Sequence, residues 1–552
     1  VVTLQRSIVV VNNITLNQAS GKQVFARSAF AKACLEGKLM KNFPSTKKKI
    51  AWYLAPKQSN AGQKKINSAI WQMTWPLLLT SFIASLIGLA DMYLSGFIGG
   101  FAQAAVGIGE QVIFLFVLLG VGTSVGGNAL ISQAVGAGRM RSARLYANDS
   151  LLAGSLVGLF SCVLGVCFAD QIFILMHVNA QVAQAGASYL RLCSLGNLPF
   201  LLTTTLATVF RACGRPRYSL YMWLITSLGS IALAFVFTFI WSPVGTLSVM
   251  GLALSWDISA CVGVVVGMIL FNKIFPCHHI WWQKGSAERI IEIFNIGFAS
   301  ILGEISWIAS NFFIYMLVLC LAHATEAQAA WSVALKLEET FASMPLIALG
   351  QAVASLVGQN IGAGKLINAA RLSWQVGSIA AIFMIVIGCA FYLSAPILAN
   401  CFSGDPLVRN YVIMLLHGAP LALPLLAFAM ILCSGMEGAG STSYPMAANL
   451  LGYIAVRLPS VYLFALVLQL EVYGLWLAII ASRLAMSLAA ASIFASGAWL
   501  KEKRQEASCV QSLDRLPRPL PYLPLSLQRR SLLVQTQHHL QWSECDRHRS
   551  SA

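Results

Sequence analysis

The chain has 552 residues, of which 57% are hydrophobic and only 10% charged, and it carries a formal net charge of +17. A water-soluble domain cannot bury that much apolar side chain, so a soluble globular protein is excluded. The positive charge implies no nucleic-acid partner, because the basic residues fall in a leader and in loops between long apolar blocks.

Residues 1–66 are basic and polar, with the runs KNFPSTKKK and GQKK and a single acid at Glu36. No apolar h-region follows the early charges, so the segment reads as a disordered N-terminal extension rather than a secretory signal. An acid-poor basic leader also fits an organellar targeting peptide, and both readings stand. Twelve apolar blocks follow, and each reaches or exceeds the roughly 20 residues that cross about 30 Å of hydrocarbon. The first six, at 69–97, 104–134, 146–170, 184–209, 218–241 and 248–272, make an N-lobe over 67–272. After an inter-lobe loop at 273–288, blocks at 291–320, 328–360, 372–399, 408–434, 445–468 and 473–498 make a C-lobe over 289–500. The tail, 501–552, contains LPRPLPYLPL and reads as disordered. Uninterrupted apolar runs satisfy their backbone in hydrocarbon as helices. The prediction is an all-α integral membrane protein with 12 transmembrane helices in two six-helix lobes.

Basic residues lie in alternate loops: Arg139, Arg141 and Arg144 after the second block, Arg211, Arg215 and Arg217 after the fourth, and Lys273, Lys284 and Arg289 after the sixth. Lys365 and Arg371 follow the eighth block, and Lys501, Lys503 and Arg504 the twelfth. The positive-inside rule then places both termini in the cytoplasm, with the cell (inner) membrane as the expected host and an organellar membrane as the alternative.

The second half repeats the first. Gln133, Gly136, Gly138 and Arg139 in SQAVGAGR recur 226 positions later as Gln359, Gly362, Gly364 and Lys365 in GQNIGAGK. The same offset carries Gly214 to Gly440 and Tyr218 to Tyr444. A constant register over that distance indicates internal duplication. The glycine motifs themselves read as helix stops with close packing, where a basic residue meets the negative end of the helix dipole. Two halves of six spans share orientation, and such parallel repeats place a cavity between lobes that rock to expose it alternately.

Several stretches carry a family resemblance. TWPLLLTSFIASLIGLADMYLSG in the first span contains Pro76 and Asp91, ISQAVGAG and LVGQNIGAGK end the second and eighth, and GAGSTSYPMAANLLGYIAVRLP leads into the eleventh with Arg457 and Pro459. Residues 68–500 resemble the multidrug and toxic compound extrusion (MATE) family, part of the multidrug/oligosaccharidyl-lipid/polysaccharide flippase superfamily. The resemblance implies an antiporter that expels cationic, amphipathic small molecules in exchange for protons or sodium ions. It also implies an Asn and an Asp in helix 5 and an Asp in helix 10, yet GSIALAFVF offers only Ser230 and APLALPLLAFAMIL no acid.

Ionisable groups inside spans are costly to insert and are functional candidates by default. Asp91 heads them as a cation-coupling carboxylate, the alternative being permanent pairing with a buried hydroxyl or Arg. Asp257, in GLALSWDISACV, is a second coupling candidate, or else faces a wet cavity without titrating. Glu304 in helix 7 is a third, about one turn before the position where the family resemblance puts a cation-binding Glu. Trp307 and Asn311 follow it at i+3 and i+7 as candidate cavity contacts, with Glu338 of helix 8 beside them. Lys336 and Glu339 are spaced to neutralise each other, and Arg457 and Arg483 to anchor helix ends or partner buried acids. Prolines at 76, 199, 345, 424 and 459 remove helical hydrogen bonds, which makes Pro76, upstream of Asp91, a candidate hinge.

Thirteen cysteines form no CxxC pair, and the adjacent Cys277, His278 and His279 do not make a metal site without further ligands. No cofactor is expected, and no metal beyond a coupling sodium ion. No phosphate-binding loop and no nucleophile–base set is visible, so transport is read as secondary and the chain as no enzyme. A lipid-linked-precursor flippase remains the rival, and calls for a cluster of Arg or Lys facing the cavity. One two-lobed chain suffices, so a monomer is expected.

Overall fold

The computed structural model describes the backbone of residues 60–98, 100–175, 179–241, 246–275, 285–321, 323–402 and 405–500; the side chains of 60–67, 85–92, 96–101, 103, 104, 240, 241 and 246–248 fall outside the description. Twelve helical spans run in chain order through it. In the N-lobe they are α1 (Asn60–Ile98), α2 (Gly100–Gly136), α3 (Met140–Leu175), α4 (Ala180–Ala212), α5 (Pro216–Val236, continued by a π turn at Phe237–Trp241) and α6 (Thr246–Ile274). In the C-lobe they are α7 (Ala287–Val318), α8 (Ala324–Gly362), α9 (Leu366–Phe402), α10 (Pro406–His417 and Ala419–Gly438), α11 (Ser443–Val467) and α12 (Glu471–Ser496).

Eleven of these, counted over the described residues, are long and apolar enough to cross a membrane, and α1 is the twelfth span. Large apolar side chains such as Phe312, Ile382, Val386 and Leu488 stand more than half exposed along the outer faces. A soluble protein would not leave so much apolar surface uncovered, whereas lipid covers it at no cost. The helices overrun the predicted blocks, and α1 reaches back to Asn60, within the stretch read as N-terminal extension.

Helix stops show the duplication most directly. Gly138, Gly214, Gly364 and Gly440 all adopt left-handed backbone, with φ of 72°, 74°, 73° and 80°. After α2 the Arg139 N–H bonds the Ala134 carbonyl and the Gly138 N–H that of Val135, and after α8 Lys365 and Gly364 bond Asn360 and Ile361 in the same way. The pair Arg215–Phe210 after α4 recurs as Ser441–Met436 after α10. At each stop an i to i−5 bond from the residue after the glycine helps to satisfy the last carbonyls of the helix, and only glycine enters the left-handed position without strain.

Two lobes share the first helix of each half. Met73 and Leu77 of α1 belong to the large C-lobe core built around Trp331, Leu423 and Phe494. Reciprocally, α7 packs on α2 so closely that a side chain at Gly126 or Gly297 would run into the carbonyls of Ile293 or Gly122. The N-lobe has two cores of its own, one around Phe173 and Leu190, the other around Phe210 and Met222.

Helix 10, read from sequence as one block, breaks at Gly418, where Pro420 and Pro424 follow. The Trp476 indole of α12 lies against Gly418 and leaves no room for a Cβ. Widened π turns at Glu339–Ser343 in α8 and Leu450–Arg457 in α11 each precede a proline, Pro345 and Pro459, whose missing N–H disturbs the regular ladder.

Candidate transport site and the seam between the lobes

At the end that carries the basic loops, the lobes meet along a seam built from the repeated residues. Gly136 of α2 lies on the Gln359 carbonyl of α8, and Gly362 of α8 on the Gln133 carbonyl of α2, in each case too close for any side chain. Gln133 Nε2 donates to the Gly438 carbonyl at 3.2 Å and Gln359 Nε2 to the Ala212 carbonyl at 2.9 Å. Each glutamine thus caps the fourth helix of the opposite half. Ser355 Oγ also donates to Asn128 Oδ1 at 2.8 Å. Beside this crossing, Arg289 at the start of α7 pairs with buried Asp149 of α3, and Tyr146 Oη donates to Glu292 Oε2 at 3.2 Å.

Away from the seam, the N-lobe buries polar atoms that lack partners. Asn197 of α4 is 1% exposed, and neither its carbonyl nor its amide group is hydrogen-bonded. The hydroxyls of Ser161 in α3, Ser227 and Ser230 in α5 and Ser259 in α6 are likewise unpaired, as is Asp257 Oδ1. Gly196, the residue before Asn197, touches the Asp257 carboxylate and has no space for a Cβ. Phe200 stacks on Trp256 at 4.5 Å and meets Trp223 edge-on at 6.0 Å, walling a small cavity with Ser230 and Ser259. Buried polar atoms without protein partners call for water or an ion. A carboxylate, an amide carbonyl and several hydroxyls are all oxygen donors, the set that a proton or a sodium ion takes.

The C-lobe interior is charged instead. Glu338 of α8 pairs with Arg483 of α12, and Lys336 pairs with Glu339 at 3.4 Å on an exposed face. Arg457 of α11 donates to Asn311 Oδ1 at 3.1 Å and stacks on the rings of Trp331 and Tyr453, at 5.5 and 5.9 Å from their centres. Nearer the seam, Ser300 Oγ of α7 donates to Glu437 Oε1 of α10 at 3.4 Å. Glu304 lies one turn along α7 from Ser300, on the same face.

Asp91 lies in α1, but its side chain is outside the described ones, and Cys277, His278 and His279 lie outside the described residues altogether. Asp257 and Glu304 stand in different lobes, in α6 and α7. Asn311, read as a substrate contact, is engaged by Arg457, while Trp307 is partly buried three residues after Glu304. Glu338 does line a cavity, though it is held by Arg483 rather than left for a cation. Pro76 is buried inside an unbroken α1. Sequence reasoning missed Asn197, the unpaired Ser161, Ser227 and Ser259, and Glu437. Among the described residues no group of three or more His, Cys, Asp and Glu is placed to hold a metal.

Comparison with known proteins agrees with this architecture. The family described as MatE matches residues 76–236 and 299–463, one stretch in each lobe. A probable multidrug resistance protein NorM of Thermotoga maritima is 23% identical over 443 residues, covering 79% of this chain and 94% of that one. The multidrug export protein MepA of Staphylococcus aureus is 25% identical over 328 residues, 58% of this chain and 71% of its own. Among solved structures, the Vibrio cholerae MATE transporter VcmN in its bent form superposes with a TM-score of 0.74 at 20% identity, over 81% of this chain and all but 1% of that one, which shows a shared fold. An outward-facing multidrug resistance MATE transporter does so with a TM-score of 0.70 at 20% identity, over 83% of this chain and 100% of that one. Matched in both halves and over more than half its length, the chain belongs to the MATE family of multi-pass integral membrane transporters.

Proposed function

We propose that this transporter is a secondary antiporter that exports organic cations and other amphipathic xenobiotics in exchange for protons or sodium ions. The observation that carries the reading is the N-lobe set around Asp257: a carboxylate oxygen, an amide and several hydroxyls buried without partners. Such a set is costly when empty and is relieved by a bound cation, so its occupancy can store the energy of an ion gradient. Asp91 is the second coupling carboxylate on this reading, Asp257 the first, and Glu304 serves the C-lobe. Relatives named for multidrug resistance and multidrug export support the substrate class.

Alternating access then consists of opening and remaking the seam. With the basic loops in the cytoplasm, the arrangement described here is closed on that side. The crossing of Gly136 and Gly362 would have to part for substrate to enter, and the lobes 67–272 and 289–500 would rock about it, with Pro76 as a flexing point in α1. One chain supplies both lobes, so a monomer suffices.

The test is ethidium efflux from vesicles holding the purified chain, under a pH gradient and then a sodium gradient. Export driven by one gradient and lost in Asp91→Asn and Asp257→Asn supports the reading and names the ion. Absence of organic-cation export under both gradients would falsify it and favour a lipid flippase. Unchanged export in Pro76→Ala removes the hinge.

A further inference from the structure

We propose that the C-lobe holds a site for a small inorganic anion, chloride, in the cavity between α8, α10 and α12. The inference is independent of which cation drives transport. The cavity offers about 40 Å³ of water-sized space, with Trp331, Glu338, Gly418, Trp476 and Arg483 in its wall. That is room for a single ion with a water beside it, and far below the roughly 300 Å³ at which pockets for drug-sized molecules begin.

Its wall is rich in donors and poor in acceptors. Trp331 is 2% exposed, and its indole N–H has no partner. The Trp476 N–H is also unpartnered, and it lies against Gly418, another wall residue. Arg483 spends one nitrogen on Glu338, and a guanidinium carries five N–H donors. The one side-chain acceptor in the wall is the Glu338 carboxylate, and one of its oxygens is already taken by Arg483.

Charge points the same way. Arg457 stacks on Trp331, the wall residue, and is 4% exposed. None of the ion pairs among the described residues includes it, its hydrogen bond goes to the neutral Asn311, and its Nε has no partner. Of these two guanidinium groups, Arg483 is paired with Glu338, whereas Arg457 is paired with no carboxylate among the described residues. An uncompensated cation inside a membrane-embedded lobe is expensive. Water in the cavity would satisfy the indole donors but leave the charge; a halide satisfies both. The rest of the wall, including Phe391, Leu415 and Leu423, is apolar.

The purified full chain in detergent is unfolded thermally in sodium chloride and in sodium gluconate at equal ionic strength. Chloride should raise the melting temperature saturably. Trp331→Phe, which keeps the ring and removes the N–H, should raise the half-saturating chloride concentration about tenfold, and Arg457→Gln should remove the shift. Equal melting in both salts overturns the proposal, and so does a chloride shift that both variants retain. Should Arg457→Gln not fold, Trp331→Phe carries the comparison, together with bromide-soaked crystals of the native chain. An anomalous peak in the cavity supports the site; water alone there, or a bromide peak only elsewhere, refutes it.

Discussion

In the N-lobe the polar interior includes the carboxylate of Asp257 with several unpaired hydroxyls and one amide, and among the described residues no base pairs with Asp257. In the C-lobe it includes Arg457, Arg483 and Glu338, with Asn311, Tyr453 and Trp331 packed around the guanidinium groups, and Glu437 bonded by Ser300 nearer the seam. Yet the two lobes stop their second and fourth helices with the same glycine geometry and exchange the same glutamine bonds. What keeps the halves alike is contact at the level of the backbone: glycine on carbonyl and glutamine on carbonyl. Such contacts do not depend on what each lobe buries several turns away, so a duplicated frame can hold two different interiors.

Leucine at Gly136 or at Gly362 should do most damage. Either substitution drives a Cβ into a carbonyl of the facing helix, with neighbouring backbone atoms of Gln359 and Gln133 2.6–2.7 Å away. Rotating a side chain cannot relieve such a clash, so the cost should exceed the about 1–3 kcal/mol of ordinary overpacking. Gradient-driven efflux should vanish and the melting temperature fall by a similar amount in both. A large loss at one glycine and none at the other would break the equivalence of the two halves at the seam.

Neutralising one acid in each lobe should lower stability in the C-lobe and not in the N-lobe. Glu338→Gln leaves Arg483 buried without its partner, at a cost of about 3 kcal/mol, the lower end for a buried pair because the Glu338 side chain is 25% exposed. Asp257→Asn removes an unpaired charge and should leave stability unchanged or raise it by about 1 kcal/mol, while abolishing coupled efflux. Thermal unfolding of the two variants beside the native chain decides this. A destabilised Asp257→Asn would mean that the N-lobe carboxylate is paired after all, and the contrast between the lobes would fall.

The frame was legible in the sequence because it is written in long apolar blocks and in glycines at a fixed offset, both of which are local signals. The break in α10 was not legible: Gly418 sits among alternating apolar residues and prolines that also suit a kinked continuous helix, and it is the indole of Trp476, far along the chain, that fills the space a side chain would take. Asp257 stood out as a charge in an apolar run, whereas Asn197 did not. Small polar residues in membrane helices usually bond their own preceding turn, as Ser194 and Thr205 do with Leu190 and Leu201. Packing alone reveals which ones fail to. Glu437 escaped because it lies just past the tenth apolar block, in a stretch read for its glycines. Arg483 was expected to anchor a helix end or meet a buried acid, but its partner lies 145 residues away, and no spacing rule reaches that far.

The smallest effect, and the sharpest probe of the frame, comes from the two glutamines. Gln133→Ala and Gln359→Ala each remove one hydrogen bond across the seam and leave a fourth-helix carbonyl, of Gly438 or of Ala212, without its side-chain donor. Each should weaken the closed arrangement by about 1 kcal/mol, a shift of about fivefold in the balance between closed and open. Spin labels placed on the two lobes near the basic loops would report that balance as a change in the distance distribution. Because Gly362 rests on the Gln133 carbonyl and Gly136 on that of Gln359, the two bonds belong to one crossing, and the double variant should depart from the sum of the singles. Strict additivity would mean that the glutamines act as separate caps on their own helices, and the seam would then be held chiefly by the glycine contacts and by the Asp149–Arg289 pair.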